Sequence, residues 1–479
     1  MNYETVIGLE VHMELATNSK IFCSCSARYG AEPNESVCPA CCGMPGMLPV
    51  TNKRVIELGM TAGMLTNCRI NRVTTFDKKS YYYPDLPCSY QITQWYAPIA
   101  VDGGIEIETA GGGKTVGIKQ IHLEEDAGKL VHDDWTGSTL IDFNRTSVPL
   151  IEIVSKPDLR SAEEVISYLE RLRSLLKFAK VSDCRWEEGS MRCDVNLSIR
   201  PYGSTELGVR TEIKNMNSLS AIVRAIEYEE ARHIDALECG TETLIQETRR
   251  WDDVKGQSFS MRTKETAADY RYFPDPNLVP VIIDDTWLGR IRASLPELPD
   301  EKARRYVSEY GLTEADCAIL TSSRNFCDIF EEASRVSSAP KETAGWLIGD
   351  CMGYLRKKKL TADDLSLDPV KLGELVKMVN GGEVTRSAAK RILAAVIEEN
   401  ADPRQYSEAH DLAAQSDESA IGEAVSKVIR ENDKMVRDYK SGKTKAMQGL
   451  FGCIMRELRG NGDPAVIQKL LQDSLDKIE

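Results

Sequence analysis

The chain has 479 residues and a formal net charge of −14 at pH 7. This charge excludes a surface that is basic throughout, so any nucleic acid would be bound by a local basic patch. The hydrophobic share of 42% is that of an ordinary globular protein, and the length corresponds to about three domains. We find no secretory signal and no run near the ~18 apolar residues of a membrane span. Together with fourteen cysteines, this predicts a cytoplasmic protein with reduced thiols and no membrane partner.

The first predicted element is a β-strand over residues 5–15. Its apolar and polar residues alternate, so that Glu10, His12 and Glu14 share one face. A half-exposed antiparallel strand would show the same alternation. Because carboxylates and imidazoles also bind metals, the pattern alone leaves both interpretations open.

Two close pairs of cysteines follow this strand. Cys23 and Cys25 form the first pair, and Cys38 and Cys41 form the second. Four thiols in two pairs are typical of a structural zinc site, so we predict that these four residues bind zinc. The short spacing of the first pair and the adjacent Cys42 leave open which thiols bind, and free core cysteines are the alternative.

Residues 110–115 (AGGGKT) superficially resemble a phosphate-binding loop. Glu108 stands where that loop requires its first glycine. The alternation on both sides predicts instead a hairpin with a glycine-rich turn. If the protein uses ATP, it does so without a Walker loop.

A run of three carboxylates, Glu124, Glu125 and Asp126, is closed by a glycine and by Lys129. Such carboxylates repel one another unless a cation neutralises them, and a divalent cation with oxygen ligands is the obvious candidate. A solvated acidic turn is the alternative. Downstream, the apolar run over residues 149–154 contains Glu152, which is costly to bury unless it is paired or metal-bound.

Two further alternating strands, over residues 188–199 and 209–215, also place mixed acids and bases on one face. Antiparallel strands bury one face and leave the other free. We therefore expect one polar sheet surface that binds Mg²⁺ and meets phosphate oxygens. The predicted catalytic residues are Glu10, His12, Glu124, Glu125, Lys129 and Asp194, and the predicted cofactor-binding residues are Ser190, Arg192, Arg210 and Lys214.

Beyond residue 293, helical periods replace the alternation and predict a helical bundle. The densest basic region lies near the end of the chain, at residues 427–445. Within it, Lys440, Lys443 and Lys445 are predicted to contact RNA. A solvated helix face is the alternative.

Six motifs, in order along the whole chain, resemble the B-subunit family of the tRNA-dependent Asp/Glu amidotransferases. They are GLEVH (8–12), YPDLP (83–87), HLEEDAGK (122–129), DFNR (142–145), EGSMRCD (188–194) and DYRYFP (269–274). The resemblance implies an α+β protein with a glutamine-synthetase-like antiparallel-sheet cradle domain at residues 1–293, which includes the zinc knuckle at 23–42. An all-α helical domain (294–407) and a small α-helical, tRNA-binding tail domain (408–479) would follow.

The resemblance also implies the reaction. With ATP, the chain would phosphorylate the side-chain carboxylate of Glu misacylated on tRNA-Gln, or of Asp misacylated on tRNA-Asn. Ammonia from a partner amidase (A) subunit would then displace the phosphate, and a small C subunit would complete the complex. The Mg²⁺ ligands carried over from the family are Glu10, His12, Glu125 and Glu212.

One departure from the family concerns Cys88 and Ser89, which stand where the family usually has Lys-Gly, so this chain lacks that lysine. Two other functions are compatible with the residues. One is a zinc-knuckle RNA-binding adaptor with a structural Mg²⁺, and the other is a free-standing ligase that acts on a small acid. The sequence contains no recognisable glutaminase triad, which favours a subunit over a self-sufficient enzyme.

Overall fold

The architecture of the chain is α+β. The computed structural model describes residues 2–133, 135–263, 269–414, 418–441, 443, 445–458 and 462–476. The chain divides into two compact units, Met1–Pro296 and Glu297–Glu479. Among the described residues, the strands of the first unit form one large sheet and three small ones, whereas the second unit is built from helices. The division into three domains remains a prediction.

The elements have the following bounds. The strands are β1 (Tyr3–Glu14), β2 (Arg69–Ile70), β3 (Val73–Thr74), β4 (Asp77–Ser80), β5 (Tyr90–Thr93), β6 (Ala100–Thr109), β7 (Gly112–Glu125), β8 (Lys129–Asp133), β9 (Ser138–Asp142), β10 (Pro149–Ser155), β11 (Met191–Pro201), β12 (Thr211–Lys214), β13 (Glu247–Asp252), β14 (Gln257–Thr263), β15 (Phe273–Pro274) and β16 (Val281–Ile282). The helices of the first unit are α1 (Lys53–Leu65), α2 (Ala162–Phe178), α3 (Leu219–Cys239) and α4 (Asp285–Ala293). Those of the second unit are α5 (Pro299–Tyr310), α6 (Glu314–Leu320), α7 (Arg324–Ser337), α8 (Pro340–Gly345), α9 (Met352–Lys358), α10 (Pro369–Asn380), α11 (Arg386–Glu399), α12 (Pro403–Ala409), α13 (Glu418–Glu431), α14 (Asp433–Lys440), α15 (Lys445–Glu457) and α16 (Pro464–Asp476).

The large sheet has nine strands in the order β14-β13-β12-β11-β1-β10-β7-β6-β2. Neighbouring strands are antiparallel except for the parallel pair β12 and β13. The glycine-rich segment after β6 is a tight turn into β7, so these two strands form the predicted hairpin. The strand β1 therefore lies in the middle of the sheet, between β10 and β11, which come much later in the sequence.

The alternation of β1 and β11 decides which face of the sheet is buried. Their apolar residues, such as Leu9 and Val195, are almost fully buried, and α1, α2 and α3 pack against the sheet. The helix α2 begins at the predicted position because the Ser161 side chain accepts a hydrogen bond from the backbone N–H of Glu164. The helices cover the apolar face of β1 and β11. The polar residues of these two strands therefore project from the opposite face of the sheet.

The second unit is helical, as its sequence period predicts. Residues Trp346–Cys351, between α8 and α9, form a π-helical turn. Residues Ala362–Asp364, between α9 and α10, form a short 3₁₀ turn. The last four helices have a core of their own, which includes Ile421, Val425, Leu450 and Leu471. In the described part of the chain, no helix combines the length and the apolar character needed to cross a membrane.

Candidate active site

The central strands of the large sheet carry a row of polar side chains on one face. His12 of β1 lies opposite Arg192 of β11 and Glu152 of β10, and Glu152 lies opposite His122 of β7. Directly opposed residues in an antiparallel pair project from the same face of the sheet. The four side chains therefore lie side by side across four strands.

One group of candidate metal ligands, the histidine cluster, consists of His12, Glu124 and Glu152. Their ligand atoms all lie within 4.8 Å of one another. His12 Nε2 is 3.3 Å from Glu152 Oε2 and 3.9 Å from Glu124 Oε1. His122 Nε2 approaches the same Glu152 oxygen at 2.9 Å, and the Thr93 hydroxyl donates a hydrogen bond to Glu124.

The charges of the histidine cluster depend on one another. Burial alone would lower the pKa of His12, but attraction to Glu152, a hydrogen bond with it and attraction to Glu124 raise this pKa to about 9. Burial would raise the pKa of Glu152, but the imidazoles of His122 and His12 hold it well below its usual range. The Glu152 carboxylate is therefore ionised at neutral pH, and the His12 and His122 imidazoles are its cationic partners. A metal ion bound by His12 would take over that role.

A second group, the carboxylate cluster, consists of Glu10, Asp194 and Glu212. Their ligand atoms also lie within 4.8 Å of one another. The Lys214 ammonium is 2.6 Å from Asp194 Oδ2 and 3.5 Å from Glu212 Oε1. The Asn196 amide donates a hydrogen bond of 3.0 Å to Glu10 Oε1.

Three carboxylates this close to one another repel. Burial, followed by repulsion from Glu152 and Glu212, raises the pKa of Glu10. Burial would lower the pKa of Lys214, but Asp194 and Glu212 raise it. A single lysine does not neutralise three carboxylates, so the cluster favours an additional cation.

The whole histidine cluster, and Glu10 and Glu212 of the carboxylate cluster, line one cleft with a volume of about 470 Å³, whereas Asp194 does not line it. Its wall combines the carboxylates with basic and aromatic side chains. The lining residues are Glu10, His12, Lys79, Thr93, Gln94, Trp95, Lys119, Gln120, His122, Glu124, Glu152, Val154, Arg210, Glu212, Lys214, Gln246, Thr248, Tyr270 and Tyr272. Carboxylate oxygens are the ligands that Mg²⁺ prefers, and lysine and arginine are the side chains that bind phosphate oxygens. The donor set of the cleft therefore fits a magnesium–nucleotide complex.

Glu125 does not lie on this face, contrary to the expectation that it joins Glu10 and His12. The strand β7 continues to Glu125, so the side chains of Glu124 and Glu125 project from opposite faces. The Glu125 carboxylate accepts hydrogen bonds from the backbone N–H of Ile92 (2.9 Å) and from the Ser147 hydroxyl (2.6 Å). Its place in the histidine cluster is taken by Glu124.

Glu125 and Cys88 line a separate cavity of about 320 Å³. Burial raises the pKa of Glu125 to about 7. Burial, together with the nearby Glu125, also raises the pKa of the Cys88 thiol. The residue that departs from the family pattern therefore contacts this cavity.

Three further residues from the sequence prediction do not line the cleft. Ser190 precedes β11, where its hydroxyl accepts a hydrogen bond from the backbone N–H of Arg185 and donates one to Asp183, so it stabilises a turn. Lys129 is exposed on the two-stranded sheet of β8 and β9. Arg192 is on the polar face, but its guanidinium is paired with Asp126 at 2.6 Å.

Arg210 and Lys214 do line the cleft, whereas Glu152 and His122 were not predicted to belong to it. Glu152 had a signal, since it is the single carboxylate within an apolar strand. The sequence signal for His122 was weaker, because nothing in the sequence shows which strand lies beside it. Neither signal identifies the partner strand, which comes from a distant segment of the chain.

The four predicted zinc ligands, Cys23, Cys25, Cys38 and Cys41, are brought together. Their sulfur atoms all lie within 4.8 Å of one another. A tetrahedral zinc with Zn–S bonds of about 2.3 Å places two sulfurs about 3.8 Å apart, and the Sγ atoms of Cys38 and Cys41 are separated by 3.8 Å. The fully buried Lys20 ammonium lies 3.6 Å from Cys41 Sγ, where it would offset part of the charge of a four-thiolate site. The four residues fit a structural zinc ion.

The predicted RNA-contacting lysines lie at the junction of α14 and α15. Lys440 is the last residue of α14, and Lys445 is the first residue of α15. Lys443, between them, pairs with Asp438 at 2.9 Å. All three side chains are exposed.

The chain is thus an α+β protein whose first unit carries an open polar sheet face, two groups of candidate metal ligands and a cluster of four cysteines, and whose second unit is helical. A model of the GatB/GatE catalytic domain matches residues 5–289, and a model of the GatB domain matches residues 328–475. The chain therefore belongs to the GatB family, the B subunits of tRNA-dependent amidotransferases.

Relatives named as B subunits of an aspartyl/glutamyl-tRNA(Asn/Gln) amidotransferase match over their full length. The relative from Lachnoclostridium phytofermentans is 50% identical over 475 residues, which is 99% of each chain. The relative from Caldicellulosiruptor bescii is 49% identical over 481 residues, which covers both chains completely. The relative from Brevibacillus brevis is 45% identical over 476 residues, again 99% of each chain.

Proposed function

We propose that this chain is the ATP-dependent subunit of an aspartyl/glutamyl-tRNA amidotransferase. It amidates Glu carried by tRNA-Gln, or Asp carried by tRNA-Asn, and so supplies Gln-tRNA or Asn-tRNA for translation. The observation that carries the proposal is the cleft that the histidine cluster lines together with Glu10 and Glu212 of the carboxylate cluster. The names of the full-length relatives supply the substrate class.

The amide is formed in two steps. A side-chain carboxylate oxygen of the misacylated amino acid attacks the γ-phosphorus of ATP, so that an acyl phosphate forms and ADP leaves. Ammonia then attacks the acyl carbon, and inorganic phosphate leaves with the electron pair of the C–O bond. Two like-charged reactants meet in the first step, so the site must neutralise and align them.

The residues of the cleft provide this neutralisation. The histidine cluster and the carboxylate cluster would each hold Mg²⁺, with Glu124 in the role first assigned to Glu125. An ion held by these residues would supply positive charge that offsets the negative charge of the transferred phosphoryl group. Lys214 and Arg210 line the same cleft and supply fixed positive charge for phosphate oxygens.

The proposal includes the partners that this chemistry requires. Ammonia would come from glutamine hydrolysed by an amidase (A) subunit, and a small C subunit would complete a heterotrimer. The tail that contains Lys440, Lys443 and Lys445 would bind the body of the tRNA. The zinc knuckle would have a structural role, because all four ligand positions are filled by protein thiols.

The test is an ATP-cleavage assay on the chain with its A and C subunits. With γ-labelled ATP, we expect ADP and phosphate release that requires Glu-tRNA-Gln or Asp-tRNA-Asn. The matched control is the same tRNA without its amino acid. Equal cleavage with charged and uncharged tRNA, or none with either, would overturn the proposal.

A further inference from the structure

A stacked aromatic pair stands at the edge of the cleft. The ring centroids of Trp95 and Tyr272 are 4.3 Å apart, and their planes differ by 11°. Although stacked, Trp95 keeps 43% of its surface exposed. Core packing would bury a tryptophan more completely, so part of this indole is left available to a further flat ring.

The backbone that carries Trp95 is held rigidly. The fully buried Asp77 carboxylate accepts hydrogen bonds from the backbone N–H groups of Trp95 (2.7 Å) and Tyr96 (3.0 Å). The Tyr96 hydroxyl donates a hydrogen bond of 3.0 Å to the backbone carbonyl of Tyr272. One buried carboxylate and one tyrosine thus fix both halves of the pair before any ligand arrives, which lowers the entropy cost of binding.

The pair is also close to the reacting groups. Both rings line the cleft. Burial raises the pKa of the Tyr272 phenol, and repulsion from Glu152 and Glu124 adds to the increase, so this phenol lies near the histidine cluster. Lys79 lines the same cleft and lies over the Tyr270 ring at 5.0 Å. A ligand stacked on the pair would therefore have fixed positive charge and candidate metal ligands beside it.

We propose that Trp95 and Tyr272 form a stacking platform for an adenine ring. This inference rests on the proposed function, in which two substrates bring adenine close to the transferred phosphate. One is ATP, and the other is the 3′-terminal adenosine of the tRNA, which carries the misacylated amino acid. A base offers a π-face to an aromatic platform, and such stacking is sequence-tolerant. The same chemistry therefore serves either source.

The experiment measures equilibrium binding, which does not depend on turnover. The complex of the chain with its A and C subunits is titrated with Mg²⁺–ADP, with intact tRNA and with the same tRNA lacking its terminal adenosine. The variants are Trp95→Leu, which removes the aromatic ring, and Trp95→Phe, which keeps one. Tyr202→Leu, at an exposed aromatic residue outside the cleft, is the matched control.

If the platform holds the ATP base, Trp95→Leu weakens Mg²⁺–ADP binding between about fivefold and about a hundredfold and leaves tRNA binding unchanged. If it holds the terminal adenosine, Trp95→Leu abolishes the difference between intact and shortened tRNA. In both cases the affinity of the Trp95→Phe complex stays closer to that of the parent complex than the affinity of the Trp95→Leu complex does, and Tyr202→Leu does not change binding.

Unchanged binding of both ligands by Trp95→Leu overturns the platform, as does an equal loss with Tyr202→Leu. The proposed function fails separately, if the parent complex shows no ATP cleavage that depends on the charged tRNA. The two failures are distinguishable because one is read from binding to variants and the other from turnover of the parent complex.

Discussion

Glu124 and Glu125 are adjacent in the chain, yet their carboxylates lie on opposite faces of the sheet. Glu124 belongs to the histidine cluster with His12 and Glu152. Glu125 is buried on the other side, where Ile92 and Ser147 donate hydrogen bonds to it. Two residues with the same side chain therefore provide a matched pair of substitutions that separates the two faces.

We predict that Glu124→Gln lowers Mg²⁺-dependent ATP cleavage by at least about a hundredfold, because it removes a carboxylate oxygen ligand from the histidine cluster. Glu125→Gln should leave the Mg²⁺ concentration for half-maximal cleavage unchanged. The pKa of the Glu125 carboxyl is about 7, so much of this side chain is already neutral at neutral pH in the parent chain. Both variants are tested by measuring ATP cleavage at a series of Mg²⁺ concentrations. A higher Mg²⁺ requirement for Glu125→Gln than for Glu124→Gln would contradict this assignment.

The contrast between these neighbours shows how far the sequence determines the site. The period of two in β1 and β11 identifies which residues share a face, because it reflects the geometry of a single strand. The same rule places Glu125 opposite Glu124 once β7 is known to continue to residue 125. The charge run by itself predicts a cation site or a solvated acidic turn, and neither interpretation separates Glu124 from Glu125.

Strand order could not be derived from periodicity. The histidine cluster forms because β10 lies between β1 and β7, which pairs residues that are more than a hundred positions apart in sequence, such as His12 and Glu152. These long-range pairings depend on the total packing of the sheet against its helices. The cysteine cluster was easier to predict, because its two pairs are close in sequence and require only one loop.

A prediction for the zinc knuckle uses two adjacent cysteines. Cys41 has its sulfur within the four-thiol group, whereas Cys42 is outside it. We expect Cys41→Ser to lose bound zinc and to lower the unfolding temperature of the chain, because a structural zinc site contributes directly to folding. Cys42→Ser should keep about one zinc per chain, the value for a filled four-thiolate site. Metal analysis of freshly purified protein, with thermal unfolding in parallel, checks both. Retention of zinc by Cys41→Ser would rule out the assigned ligand set.

The next prediction concerns how tRNA binding by the tail (residues 408–479) depends on the salt concentration. Changing Lys440, Lys443 and Lys445 together to Gln should weaken tRNA binding and reduce the slope of log K against log salt by up to about 2 to 3, since each phosphate contact adds about 0.7 to 0.9. Lys443 should contribute the least of the three, because its ammonium is already paired with Asp438. Binding is measured across a series of salt concentrations. A triple variant at the exposed Lys53, Lys255 and Lys341 has the same change in net charge and serves as the control. Equal slopes for the two triple variants would remove the tail from the RNA interface.

The last prediction concerns a buried network behind the carboxylate cluster. On α3, His233 is only 1% exposed, and its Nε2 lies 2.8 Å from the hydroxyl of Thr211, which precedes Glu212 in β12. The Glu229 carboxylate is 3.7 Å from the same ring nitrogen. Burial, followed by repulsion from Arg232, lowers the pKa of His233 to about 4. The imidazole is therefore neutral in the folded chain at neutral pH.

This depressed pKa predicts a stability that depends on pH. The unfolded chain protonates His233 near its ordinary pKa of about 6.5, whereas the folded chain resists protonation until the pH falls to about 4. The contribution of the neutral imidazole is thus complete above pH ~6.5 and is lost as the pH falls from there towards about 4, by roughly 3 kcal/mol in total. His233→Gln keeps a hydrogen-bonding side chain but does not titrate. We expect the difference in unfolding free energy between parent and variant to shrink steadily as the pH falls from 7 to 5. Denaturant unfolding of the full chain at several pH values measures this difference. A difference that does not depend on pH would show that the pKa of His233 is the same in the folded and unfolded chain.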